Sequence, residues 1–328
     1  MKLSVLDQSP ITDGISYEEA INRTLMLAVA VEEFGYHRFW VSEHHNTNSF
    51  ASASPEILLT KIASITKKIR VGSGGVLLSH YSPLKIAEQF RMLETLFPER
   101  IDLGIGRAGG GDAFTNRALN PHQHKEDNTF LKIDELITYL NHNTHKRKVN
   151  AVPKIEAIPE IWVLGTSPNS ALYAAERGLP YSFGSFINDE HCLQAMQTYH
   201  QKFIPSKHLA NPYVNHAVYV ICGESDDEAL QLSKSSEAWF IKTFLRGEDV
   251  PFPQLEEEKN VTFTPQEKFA LAIRRKGTII GSAKKVKSEL ESLAKKLAVD
   301  EFTIVTITAS FEDRLKSYKL LADVFCLK

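Results

Sequence analysis

The chain has 328 residues, of which 43% are hydrophobic and 24% charged, and its formal net charge is −2. A chain of this size can bury a large core, and its balanced charge gives no electrostatic reason to seek nucleic acid or a membrane surface. Cys192, Cys222 and Cys326 are far apart and form no CxxC pair, which argues against a disulfide framework and a zinc knuckle.

Lys2 to Leu6 reads as a short apolar strand, without the uninterrupted apolar core of a signal peptide because Asp7 and Gln8 follow. Ser16 and Glu19 make a capping box ahead of a helix with Ile21, Leu25 and Ala28 on its apolar face, ended by Gly35. The apolar run Leu25 to Val31 in that helix is far short of a membrane span. Cytoplasmic location is therefore the expectation.

Arg38 to Val41 is predicted as the second strand, and it breaks into Ser42, Glu43, His44, His45 and Asn46. Ser54 with Pro55, and later Ser82 with Pro83, repeat a cap-then-proline helix start on either side of a glycine-interrupted strand at Arg70 to Leu77. A fourth strand at Ile101 to Ile105 opens into a long polar stretch, Arg107 to Asn128, and then a helix at Phe130 to Leu140. The basic run His145 to Lys148 reads as a solvated surface.

Ile161 to Leu164, Tyr181 to Phe183, Val214 to Cys222 and Glu301 to Thr306 are predicted as strands five to eight. Helices are expected after Pro168, over Asp189 to Phe203, after Ser225 with Glu228, after Ser282, and over Phe311 to Phe325. The stretch Arg246 to Thr264 holds Pro251 and Pro253 among acidic residues and reads as an exposed mobile insertion, extended to residue 278 as a candidate lid.

Eight strands alternating with helices imply parallel pairing through right-handed crossovers, so the predicted architecture is a single-domain (β/α)8 TIM barrel over residues 1–328. The rival is a doubly wound sheet, since Gly104, Gly106 and Gly109 spell G-x-G-x-x-G after a strand. That fingerprint normally follows the first strand and opens directly into a helix, whereas here it follows the fourth and opens into a polar loop.

In such a barrel the active site lies at the C-terminal ends of the strands. Glu43, His44 and His45 follow strand two. Because neighbours in an extended segment face opposite ways, only His44 or His45 is expected to reach the cavity, and two adjacent histidines make a poor metal site. Gly106 to Gly111 after strand four offers bare backbone amides beside Arg107, and Gly165, Thr166 and Ser167 lead into a helix N-terminus after strand five; both suit a phosphate. Gly74 and Gly75 either let the backbone approach a flat ligand or mark a bulge.

Taken together, LDQSPI, WVSEHHN, VGSGGVLLSHYSPLKIAEQ, ERIDLGIGRAGG and IWVLGTSPNSALYAAERG resemble the bacterial luciferase-like flavin monooxygenases. The resemblance implies reduced FMN, molecular oxygen, a flavin C4a-peroxide and a small organic substrate, with a separate NAD(P)H:flavin reductase and a homodimeric assembly. It places Glu43 and His44 beside the flavin, His44 as the acid-base residue, and Gly74 and Gly75 where the family often has a non-proline cis peptide against the ring. It assigns the FMN phosphate to Arg107, Ser167 and Ser170 with amides near Gly109, Gly165 and Thr166, and puts Phe186 by the ring. Luciferases carry a reactive cysteine where this chain has Gly106, so light emission is not carried over. The alternatives are an F420-dependent oxidoreductase and a flavin-binding protein without turnover, with a metal hydrolase behind both.

Overall fold

The computed structural model describes residues 1–107, 110–121, 128–141, 148–254 and 263–328. Its nine strands are β1 (Lys2–Asp7), β2 (Arg38–Val41), β3 (Arg70–Leu77), β4 (Ile101–Gly106), β5 (Glu160–Gly165), β6 (Tyr181–Gly184), β7 (Val214–Gly223), β8 (Thr278–Ser282) and β9 (Glu301–Val305). All pair in parallel. β1 to β7 and β9 close on themselves through the β6 to β7 and β7 to β9 pairings, which is the predicted eight-stranded barrel.

The outer layer begins with helices α1 (Tyr17–Glu33), α2 (Pro55–Ile65), α3 (Pro83–Leu96), α4 (Ala113–Leu119), α5 (Thr129–Leu140) and α6 (Pro168–Glu176). It continues with α7 (Cys192–Lys202), α8 (Asp226–Leu232), α9 (Lys234–Phe240), α10 (Pro265–Arg274), α11 (Ala283–Leu297) and α12 (Phe311–Phe325). Ser16 and Ser225 cap α1 and α8 as expected, each accepting at 3.1 Å from the amide three residues on. Ser54, Ser82 and Ser282 make no such side-chain bond; at α2 and α3 proline in the first turn sets the start.

Two departures concern the chain after β7. β8, which is not among the expected strands, begins at Thr278, where the stretch expected to be an insertion ends. The ten-residue β7 is long enough to serve two partners, its first half pairing with β9 inside the barrel and its second half with β8 outside it. Nor is the stretch from Arg246 wholly exposed: Phe252 is fully buried and bridges to Thr12. Asp249 receives hydrogen bonds from Thr47 Oγ1 at 2.8 Å and from the amide and side chain of Asn48 at 2.9 and 3.0 Å. A prolines-and-acids pattern conceals both anchors. Residues 255–262 of that stretch, and most of the basic run 145–148, lie outside the described residues.

A buried ion cluster fills the floor of the barrel. Arg38, from β2, meets Asp102 at 2.8 Å, Glu160 at 3.1 Å and Glu301 at 3.2 Å, while Arg70 reaches Asp102 at 2.5 Å. Trp40 Nε1 donates to Asp102 at 3.0 Å, Tyr213 donates to Glu301 at 2.8 Å, and Trp162 stacks under the Arg38 guanidinium at 4.8 Å. Burial pushes the Asp102 carboxyl up, but Arg38, Arg70 and the Trp40 hydrogen bond outweigh it and hold the group below its usual range.

Replacing one member of such a cluster strands the others in a dry interior. Asp102→Ala is expected to cost about 3 to 5 kcal/mol, because Arg38 and Arg70 both lose a fully buried partner. Glu160→Ala, whose carboxylate is 37% exposed, should cost less than about 1 kcal/mol. Urea unfolding midpoints of the two variants check the ordering, and equal losses would show that burial does not set the cost.

Candidate active site

β2 carries the site because of how its side chains alternate. Arg38 and Trp40 face the barrel interior, and Ser42 and His44 continue that face beyond the end of the strand. His44 Nδ1 lies 3.0 Å from Ser42 Oγ, and its ring stacks on Phe50 at 4.4 Å. Nε2 makes no hydrogen bond among the described residues. Burial, then the neighbouring His45, lowers the His44 pKa to about 4, so the imidazole is neutral at pH 7.

Glu43 and His45 turn the other way. The Glu43 carboxylate, 3% exposed, accepts from the Leu77 amide at 2.9 Å and the Tyr81 hydroxyl at 2.6 Å, and His45 Nε2 lies 2.8 Å from it. Both oxygens are thereby committed, so Glu43 fixes the segment that follows Gly74 and Gly75 instead of offering a free base. The His45 amide donates to the Gly110 carbonyl at 2.9 Å and ties the rim of β2 to the glycine loop after β4.

The Gly74–Gly75 peptide is cis, and the register of β3 on β4 shifts there. No larger residue fits. A Cβ on Gly74 would lie 2.6 Å from Leu6 Cδ1, and one on Gly75 2.7 Å from Leu164 Cδ1 and 2.8 Å from the Gly104 carbonyl oxygen. The two glycines thus bring bare backbone to the rim between His44 on one side and the β4 loop on the other.

Arg107 leaves the C-terminal end of β4 and is exposed, on the same rim as His44 because all strands run in parallel. β5 lies beside it, with Ile105 paired to Val163, so Gly165 and Thr166 are the neighbours of Arg107 across the ladder. Ser167 caps α6, its Oγ accepting from the Ser170 amide at 3.3 Å. Ser170 is buried and spends its hydroxyl on the Ser167 carbonyl at 2.8 Å, with Tyr181 at 3.1 Å. It supports the cap from behind and does not face outward with Ser167. Gly109 lies outside the described residues. Phe186 packs on the apolar cluster inside the barrel that holds Leu6, Trp40 and Trp162, above the ion cluster of the floor.

Several rim residues escape a reading of the sequence. Trp239 stacks on Phe252 at 4.4 Å, meets Phe50 edge-on at 5.6 Å and donates from Nε1 to Ser49 Oγ at 2.9 Å, so a segment nearly two hundred residues downstream closes over the ring beside His44. Tyr81 and Ser42 are set by contacts no spacing rule announces. The polar stretch after β4 also contains a short helix, α4, whose Phe114 is 86% exposed.

These features define a class: a parallel α/β barrel whose mouth places bare backbone and an aromatic wall between a neutral imidazole and a helix-capping serine beside an arginine. The chain belongs to the luciferase-like monooxygenase family, whose model matches residues 1–301. It is 41% identical to the uncharacterized protein YwcH of Bacillus subtilis (strain 168) over 99% of both chains. It is 34% identical to the N-acetyl-S-alkylcysteine monooxygenase of the same organism over 98% of both. The crystal structure of apo-MsnO8 covers 100% of this chain, and this chain 99% of it, at a TM-score of 0.93 and 35% identity. As a member of this family the protein is an oxidoreductase. No described helix is long and apolar enough to cross a membrane.

Phe50 stacks on the His44 ring and covers one of its faces. Phe50→Ala should let water in and raise the His44 pKa from about 4 toward the ordinary histidine value of about 6.5, read by nitrogen-15 histidine spectra across a pH series. The sign follows from desolvation alone: exposing the ring restores the charged form, and an unmoved titration would show that Phe50 does not exclude solvent.

Proposed function

We propose that the protein is an FMN-dependent monooxygenase that accepts reduced flavin from a separate NAD(P)H:flavin reductase and transfers one oxygen atom of O2 to a small organic substrate. The observation that carries this reading is the order of three adjacent strand ends: His44 after β2, the bare Gly74–Gly75 backbone on β3, and Arg107 after β4. A flat ring system laid on the glycines reaches the imidazole on one side, and its phosphate tail reaches the guanidinium on the other. Glycine is needed at both positions because a Cβ would meet Leu6 at Gly74 and Leu164 or the Gly104 carbonyl at Gly75, and the backbone left bare there is what a flat ring would lie against.

In this arrangement Arg107, Ser167 and the amides of Gly165 and Thr166 hold the phosphate, with Gly109 adding an amide and Ser170 bracing the cap of α6. Phe186, Phe50 and Trp239 wall the ring and keep water out. Flavin supplies the oxygen chemistry; the chain binds, orients and excludes solvent. His44, neutral and with Nε2 unbonded, is the acid-base residue, and Ser42 holds its Nδ1. Glu43 is a positioning residue, since its three hydrogen bonds set the backbone that follows the cradle. The segment 246–254, pinned by Asp249, roofs the mouth, and the assembly is a cytoplasmic homodimer.

An anaerobic titration with reduced FMN and with reduced riboflavin separates phosphate recognition from ring recognition. Arg107→Ala should weaken FMN binding about 10- to 100-fold, the worth of one charge-assisted contact, and leave riboflavin unchanged. His44→Ala should leave both affinities within about threefold while lowering the yield of oxygenated product more than about 100-fold. A preference for reduced F420 over FMN in the same titration would replace the cofactor assignment, and tight binding without oxygen-dependent product would leave a flavin-binding protein.

A further inference from the structure

On the outer wall of the barrel, away from the mouth, β7 presents His216 toward α7. Its neighbour Asn215 points inward to Thr303 at 2.8 Å, so alternation turns His216 outward. Cys192, the first residue of α7, brings its Sγ to 3.9 Å from His216 Nδ1, and Asp189 stands three residues earlier on the approach to that helix. One ligand atom from each of the three lies within 4.8 Å of the others, the only such trio of histidine, cysteine and carboxylate groups among the described residues. We propose that Asp189, Cys192 and His216 form a zinc-binding site on the outer face of the barrel, with its fourth coordination position open to a cavity of about 190 Å3.

Zinc about 2.3 Å from sulfur and about 2.0 Å from nitrogen sets those donors roughly 3.5 Å apart, a few tenths of an ångström less than the 3.9 Å between Cys192 Sγ and His216 Nδ1, and the exposed Asp189 side chain closes on the ion from within 4.8 Å. Two of the three side chains are held in place by their neighbours. Ser185 donates to Asp189 at 2.7 Å, and the His216 ring lies parallel to Phe183 at 6.0 Å and edge-on to Phe302 at 5.7 Å.

The chemistry of the trio selects the ion. Lys276 and Lys296 line the same cavity as Asp189 and Glu190, so net charge does not draw a cation there and a hard ion such as calcium has too few oxygens. A neutral imidazole, a thiol and one carboxylate suit zinc. Burial, with Asp189 beside it, pushes the metal-free Cys192 thiol up to about 12; coordination replaces its S–H bond by an S–Zn bond and releases the proton to solvent. The bound ion would fasten the loop carrying Ser185 and Phe186 to the barrel wall, and so fix one side of the mouth from behind.

Cobalt(II) reports on such a site in the full-length, chelator-stripped protein. One equivalent should bind with a thiolate-to-cobalt charge-transfer band in the near ultraviolet, and zinc should displace it. Cys192→Ser should abolish the band, and Asp189→Asn, a change at an exposed residue that leaves the core untouched, should weaken cobalt binding by at least about tenfold. Absence of the band in the wild-type protein, or its survival in Cys192→Ser, would overturn the site; so would equal affinity of Asp189→Asn and wild type. None of these readings involves flavin.

Discussion

The carboxylate of Glu43 gathers the Leu77 amide, the Tyr81 hydroxyl and the His45 imidazole into one buried cluster, and the geometry of the barrel mouth depends on it. Through Leu77 it fixes the residues that follow the glycine cradle; through His45 and its amide it reaches the loop after β4 at Gly110. Three strand ends are thereby tied to one side chain that lies on none of their ladders. A buried carboxylate with fewer donors would carry an unmet desolvation cost of about 1 to 3 kcal/mol or more, so the cluster holds as a unit.

Floor and mouth solve opposite problems. At the floor, Arg38 and Arg70 are matched against Asp102, Glu160 and Glu301 with short contacts, which leaves the charges no reason to move. At the mouth, one face of the His44 imidazole is covered by Phe50 while its Nε2 makes no hydrogen bond among the described residues. That nitrogen is therefore open to water or to a ligand, where the charges of the floor are not. β2 holds both ends: only three residues separate the saturated guanidinium of Arg38 from the first oxygen of the mouth, Ser42.

The barrel was legible because its grammar is local: apolar runs of strand length, a proline in the first turn of α2, α3 and α6, and glycine after α1 and α6 repeat along the chain. The division of His44 from His45 followed from strand alternation alone. What stayed hidden is long-range. Trp239 and Phe252 meet Phe50 across some two hundred residues, Glu301 meets Arg38 across more, and no periodicity encodes such a pairing. β8 was hidden for a different reason: five residues, Thr278 to Ser282, with a glycine among them, look like the end of a loop until the outer half of β7 supplies a partner. Ser170 is also a matter of local detail that no pattern announces, since its hydroxyl donates to the carbonyl of the cap residue Ser167.

The candidate site divides between groups set by the backbone and groups set by side chains. The candidate phosphate grip uses backbone amides, a helix N-terminus and one arginine, all at strand ends whose positions the hydrogen-bonded ladder sets. The walls of the mouth come instead from Phe50, Trp239, Phe252 and Phe186, carried by loops and by the chain after β7. Aromatic contacts of that kind contribute about 0.5 to 1.5 kcal/mol each beyond their buried area, so exchanging one reshapes the cavity at modest cost to stability. Changing the ladder would cost the barrel itself. The part of the site that must stay constant is therefore written in the backbone, and the part free to differ is written in side chains that face the opening.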